Sequence, residues 1–167
     1  KRALISVFDK TGIVGLAESL NQHGVEIIST GGTEKTLGEA GLLVKGVSTY
    51  TGFPEIMDGR IKTINPLVEG GILGLRDKHA DDAKANNIGW IDLVVCNLYP
   101  FSKIISRDDC DLMAAMENVD IGGPTMIRSA AKNVGWVTAV VDPQDYQGII
   151  DELDEFVEIS FKTRKEL

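Results

Sequence analysis

Ala3-Leu4-Ile5-Ser6-Val7-Phe8-Asp9-Lys10-Thr11-Gly12, leading into an amphipathic run from Ile13 to His23, decides how the rest of this chain is read. The apolar run from Ala3 to Val7 predicts a buried strand, and Asp9 to Gly12 a loop. Val14, Leu16, Ala17 and Leu20 recur on one helical face, with Gly24 as a stop signal. The pattern then repeats. Val25 to Ser29 reads as a strand, Thr30-Gly31-Gly32-Thr33 as a second glycine loop, and Glu34 to Ala40 as a short helix ended by Gly41.

Working outward, Leu42 to Val47 supplies a third strand. Residues 48–66, punctuated by Gly52, Pro54, Gly59 and Pro66, have no sustained period and read as a long functional loop region. Asp77 to Asn86 is a polar helix, and Ile91 to Asn97 is the clearest strand, left abruptly by Leu98-Tyr99-Pro100-Phe101. Asp111 to Asn118 suits a helix. Gly122-Gly123-Pro124 is a turn into a further helix, Thr125 to Asn133, before a strand at Trp136 to Val141 and a helix at Pro143 to Leu153. Continuous apolar strands alternating with helices predict an α/β fold, a mostly parallel sheet covered on both faces as a three-layer sandwich. Ligands of such sheets bind beyond the carboxyl ends of the strands, where these loops fall.

The chain's 167 residues suit a single domain, and 43% hydrophobic with 25% charged residues is the balance of a soluble globular protein. A net charge of −8 argues against nucleic acid as a partner, since backbone-phosphate affinity needs clustered Lys and Arg. Cys96 and Cys110 suggest neither a disulfide framework nor a metal site, which fits a reducing cytoplasm. No apolar run approaches the ~20 residues that span a bilayer, and the sequence begins in a strand without a secretory segment. His23 and His79 read as surface residues.

Two glycine loops, Ser6 to Gly12 and Ser29 to Thr33, place hydroxyls, backbone N–H groups and Lys10 at two helix mouths, a pattern suited to a phosphate but equally to turn geometry. Arg60, Lys62 and Thr63 put cations and a hydroxyl in an irregular stretch, suited to an anionic or carbonyl ligand or to a solvated loop. Tyr99 leaves a buried strand, Asp120 precedes a double glycine at a helix start where a cap is also expected, and Lys132 lies near a helix end.

Taken in order, Ser6 to Gly12, Ser29 to Thr33, Met57 to Thr63, Asn97 to Phe101, Asp120 to Thr125 and Arg128 to Asn133 resemble the N-terminal inosine monophosphate (IMP) cyclohydrolase domain of the bifunctional family that also carries aminoimidazole-carboxamide ribotide transformylase activity. The resemblance spans essentially the whole chain. It implies a methylglyoxal synthase-like fold over residues 1–155, with residues 156–167 opening a linker toward a transformylase domain. It also implies closure of the formylated ribotide to IMP with loss of water. The implied catalytic residues are Lys62, Tyr99, Asp120 and Lys132. Ser6, Lys10, Thr11, Gly12, Ser29, Thr30, Gly31, Gly32, Thr33, Arg60, Thr63, Ile121 and Gly122 are the implied substrate and phosphate contacts. No metal or cofactor is implied for this domain, formyl-tetrahydrofolate belonging to the transformylase. A cytoplasmic homodimer without nucleic-acid or membrane partners is implied.

This sequence departs from the family pattern at Phe8, where a small hydroxyl residue is usual, at Asn65 and Glu69, where histidines are usual, and at Leu75, where an arginine is usual. Two alternatives share the fold: a methylglyoxal synthase-like lyase, distinguished by product analysis with a triose phosphate, and a nucleotide-binding regulatory module, which binds without turnover.

Overall fold

The computed structural model describes residues 1–167. Five parallel strands, β1 (Arg2–Ile5), β2 (Glu26–Ser29), β3 (Val44–Gly46), β4 (Leu93–Val95) and β5 (Thr138–Val140), lie in the order β3-β2-β1-β4-β5. The alternation of side chains explains why the middles of β1, β2 and β4 are apolar on both faces. Ala3 and Ile5 enter the core on one face with Ile27, Leu93, Val95 and Val140. Leu4 enters the opposite core with Ile28 and Val94. Each face is covered by helices, so the charges the strands carry, Arg2, Glu26 and Lys45, stand at strand starts or on the edge strand β3.

The first face is closed by α1 (Ile13–Gln22), α2 (Gly31–Glu39) and α9 (Tyr146–Phe156), the second by α3 (Val47–Thr51), α4 (Pro66–Leu73) and α8 (Gly122–Lys132). Helix α1 buries Ile13, Leu16, Ala17 and Leu20, one stripe at helical spacing. Helix α8 does the same with Gly123, Met126, Ser129 and Ala130. The short helices α5 (Ala80–Ala85), α6 (Phe101–Ile105), α7 (Leu112–Glu117) and α10 (Phe161–Glu166) complete the chain.

Several sequence expectations shift. The second glycine loop is helical: Thr30 is the cap and Gly31, Gly32 and Thr33 form the first turn of α2. The region 48–66 is not one loop, for α3 occupies its start and Asn65 caps α4 with an acceptor 2.9 Å from the Leu67 N–H. The helix expected from Pro143 opens as a 3-10 turn, Pro143–Asp145, before α9. The segment 156–167 folds back on α9, where Glu152 accepts from the Ser160 N–H and the Thr163 hydroxyl, both at 3.1 Å. His23 is half-buried and paired with Asp154 at 2.8 Å, whereas His79 is exposed as expected. No helix is long and apolar enough to cross a membrane.

After β1 the chain winds outward to β2 and β3, then returns to place β4 on the other side of β1. The loops following β1 and β4 therefore diverge, opening a crevice at the carboxyl edge.

Candidate active site

Asn97, just beyond β4, ties the two loops at this crevice together. Its Oδ1 accepts the Phe8 N–H at 2.7 Å and the Asp9 N–H at 2.8 Å, and its Nδ2 donates to the Asp9 carbonyl at 3.0 Å. The Phe8 ring meets Tyr99 with centroids 4.7 Å apart. Asn97 was not among the expected contacts, although a polar residue ending an apolar strand is the one signal the sequence offers for it.

The hydroxyls of the two phosphate-type loops point inward. Ser29 is fully buried and donates to the Ile5 carbonyl at 2.7 Å, and Ser6 and Thr30 share a hydrogen bond of 2.8 Å. The buried Thr33 hydroxyl bridges the Val7 N–H at 3.1 Å and the Val7 carbonyl at 3.0 Å. These side chains lock the loop after β1 to the loop after β2. Lys10 also turns back, donating to the Val7 and Phe8 carbonyls. Burial lowers the pKa of its ammonium, with the Asp9 charge opposing. Hydrogen bonds from the Thr11 side chain and backbone hold Asp9 below its ordinary carboxylate value, and the Lys10 charge adds to them.

Backbone donors at the same loops stand open to an anion. The N–H groups of Gly12, Val14 and Gly15 at the mouth of α1, and of Gly31 and Gly32 at the mouth of α2, have no acceptor in the protein. Gly12 lies at φ 70°, a left-handed turn that glycine adopts without strain and that aims the chain into α1.

Three loops converge on the first turn of α8. A Cβ placed on Gly122 would lie 3.0 Å from the Thr63 hydroxyl, and one on Gly123 would lie 2.5 Å from Leu98 and 2.7 Å from Asp120 Oδ2. The double glycine is thus a condition of the approach, not only of the turn. Thr63 and Leu98 thus meet the helix mouth that Asp120 caps, so their chain neighbours Lys62 and Tyr99 lie on the two segments that reach it, with the Lys62 ammonium turned toward Gly59. Asp120 Oδ1 accepts the Gly123 N–H at 2.9 Å, while Oδ2 takes no hydrogen bond from the protein. The buried Cys96 thiol is pushed up to about 12, by burial first and by the Asp120 charge second. Tyr146, buried beneath Gly12, has its hydroxyl pushed up to about 12 by burial and then by Asp9.

Not every expected residue joins. Lys132 is the last residue of the unbroken α8, about 15 Å along the axis from Gly122, and is exposed. Its neighbour Asn133 holds the end of α4 through the carbonyls of Ile72 at 2.6 Å and Gly74 at 3.2 Å. Lys132 therefore stands at the opposite end of the helix from Asp120. Arg60 is exposed and already paired with Glu117. Thr11 and Ile121 are exposed at the crevice. The departing residues have structural partners of their own: Phe8 stacks on Tyr99, Asn65 caps α4, Glu69 accepts from the Ser129 hydroxyl at 2.7 Å, and the Leu75 N–H donates to His79.

Comparison with known proteins agrees with this architecture. The chain is 53% identical over 169 aligned residues to the bifunctional purine biosynthesis protein PurH of Bacillus cereus (strain AH820), and likewise 53% identical to that of Acetivibrio thermocellus. All of this chain is covered in both cases, and it spans 33% of the length of those relatives. The crystal structure of ForH superposes with a TM-score of 0.88 at 32% identity, covering 98% of this chain and 85% of that one. The MGS-like domain model matches residues 12–125, from the left-handed glycine at the mouth of α1 through the first turn of α8, and the chain belongs to the MGS-like domain family.

Proposed function

We propose that this domain closes the formylated aminoimidazole carboxamide ribotide to IMP, releasing water. The observation that carries the reading is that the segments bearing Lys62 and Tyr99 meet, through Thr63 and Leu98, the Gly122-Gly123 helix mouth capped by Asp120, beside two helix mouths with open N–H groups. The similarity to PurH over the whole chain supports a purine nucleotide as substrate.

The carboxamide nitrogen is a weak nucleophile, so the site must align it, remove a proton and stabilise charge on the formyl oxygen. In this reading the ribotide phosphate lies against the N–H groups of Gly12, Val14, Gly15, Gly31 and Gly32, where the helix dipoles favour an anion. The carboxamide nitrogen attacks the formyl carbon and gives its proton to Asp120 Oδ2, the oxygen left free by the Gly123 cap. Lys62 and the Tyr99 hydroxyl stabilise the oxyanion and return a proton to it. The resulting hydroxyl leaves as water with the proton of the former formamide nitrogen, completing the ring. Lys132 takes no part in this scheme, because helix α8 holds it too far from Asp120.

The domain boundaries follow from the same reading: residues 1–155 form the cyclohydrolase unit, and 156–167 lead toward a transformylase unit that uses the folate. A cytoplasmic homodimer is the expected setting. Ultraviolet-monitored conversion of the formylated ribotide by the purified chain tests the proposal. Conversion that falls with Lys62→Ala supports it, and a folded wild-type chain that binds the ribotide without converting it sinks it in favour of a regulatory module.

A further inference from the structure

We infer that Phe8 is a positioning residue through which the anion-binding loop sets the orientation of the Tyr99 ring; the inference rests on the cyclohydrolase reading for Tyr99's role. Tyr99 is 52% exposed, and its hydroxyl makes no hydrogen bond within the protein. The aromatic partner of its ring is Phe8, at 4.7 Å with the planes tilted by 47°. Tilted pairs at this separation are attractive beyond their buried area.

Phe8 is itself held twice. Its N–H donates to Asn97 Oδ1 at 2.7 Å, and its carbonyl accepts Lys10 Nζ at 3.2 Å. Asn97 and Tyr99 lie on one strand-exit loop, so Phe8 grips that loop at two points, by backbone and by ring. The next turn of the Phe8 loop, at Gly12, carries the open N–H groups of the α1 mouth. A phosphate seated there braces the Phe8 backbone, and the ring transmits that brace to the phenol. Without the Phe8 ring the loop stays tied through Asn97 while Tyr99 is free to swing.

A double-mutant cycle on kcat for ring closure tests this, with Phe8→Ala, Tyr99→Phe and the double variant, and with Phe8→Tyr as the conservative replacement. Phe8 is 47% exposed, so its truncation leaves the core intact. Phe8→Ala is expected to lower kcat by about 3- to 10-fold with KM less affected, the range of an aromatic pair interaction. The double variant is expected to be no slower than Tyr99→Phe alone, and Phe8→Tyr to restore kcat. Losses that multiply, or an unchanged kcat in Phe8→Ala, overturn the inference. Should the wild-type chain not convert the ribotide, the cyclohydrolase reading fails separately, and the same four proteins are compared by IMP affinity. Non-additive losses there uphold the coupling of Phe8 to Tyr99, and additive losses overturn it.

Discussion

Replacing Asp120 by Asn separates the two jobs the structure gives this carboxylate. Oδ1 caps α8 through the Gly123 N–H at 2.9 Å, and Asn caps a helix about as well as Asp. Folding stability is therefore expected to change by no more than about 0.5 kcal/mol, the ordinary range for a substitution that keeps its contacts. The free Oδ2 is replaced by an amide or its carbonyl, neither of which takes a proton near neutral pH. General-base contributions are typically 10²–10⁴-fold, so kcat is expected to fall by about that factor, roughly 3–5 kcal/mol of barrier. Asp120→Ala removes the cap as well, costing about 1 kcal/mol of stability on top of the same loss of rate. Thermal unfolding and ultraviolet-monitored ring closure on both variants provide the measurement. An Asp120→Asn protein that unfolds like wild type and turns over within roughly threefold of it refutes the assignment of Asp120 as proton acceptor.

Gly123→Ala drives a methyl to 2.5 Å from Leu98 and 2.7 Å from Asp120 Oδ2, and is expected to cost about 1–3 kcal/mol in unfolding experiments while depressing kcat through displacement of both neighbours. Leu4→Ala empties a fully buried position of the second core and is expected to cost about 2–5 kcal/mol, read from denaturant midpoints. Burial raises the Glu26 carboxyl, but hydrogen bonds and charge from Lys45 and Arg2 hold it on balance below its ordinary value. A carboxylate depressed in the folded state contributes stability above its unfolded pKa that is lost as pH falls through the folded one. The Tm advantage of wild type over Glu26→Gln is thus expected to be full at pH 7 and to close as the pH drops below the ordinary carboxylate range. An advantage that persists undiminished in acid contradicts this. Because the Cys96 thiol is buried and pushed up to about 12, iodoacetamide at pH 8 is expected to label Cys110 alone in the native protein, by peptide mass, and both cysteines once unfolded.

The strands were legible because burial on both faces leaves runs of consecutive apolar residues at their centres: Leu4 and Ile5 belong to opposite cores and both are fully buried. Helix α4 was not, and the reason is steric. Gly70 and Gly71 sit where a Cβ would lie 2.8 Å from Ile88 and 2.5 Å from the Gly89 carbonyl, so glycines required by close packing imitate the punctuation of a loop. The hydroxyl-rich segments after β1 and β2 were ambiguous for another reason. A serine or threonine beside a glycine serves a ligand or its protein neighbours equally well, and here Ser29 and Thr33 bond the backbone while Ser6 and Thr30 bond each other.

The separation of Lys132 from Asp120 follows from topology more than from any local detail. β5 lies parallel to β4, so the chain between them must carry back the whole depth of the sheet, and α8 is the element that does it. A residue at the start of such a helix stands at the carboxyl edge with the strand-exit loops, and a residue at its end stands at the amino edge. The Asn133 bonds to the end of α4, and the Thr138 N–H donated to the Asp92 carbonyl just before β4, mark that amino edge. The same rule admits Lys62, Tyr99 and Asp120, each on a loop or helix mouth at the carboxyl edge. In the proposed scheme the nucleotide lies at the edge bounded by the first turns of α1, α2 and α8, and within one chain Lys132 stands about 15 Å along α8 from that edge.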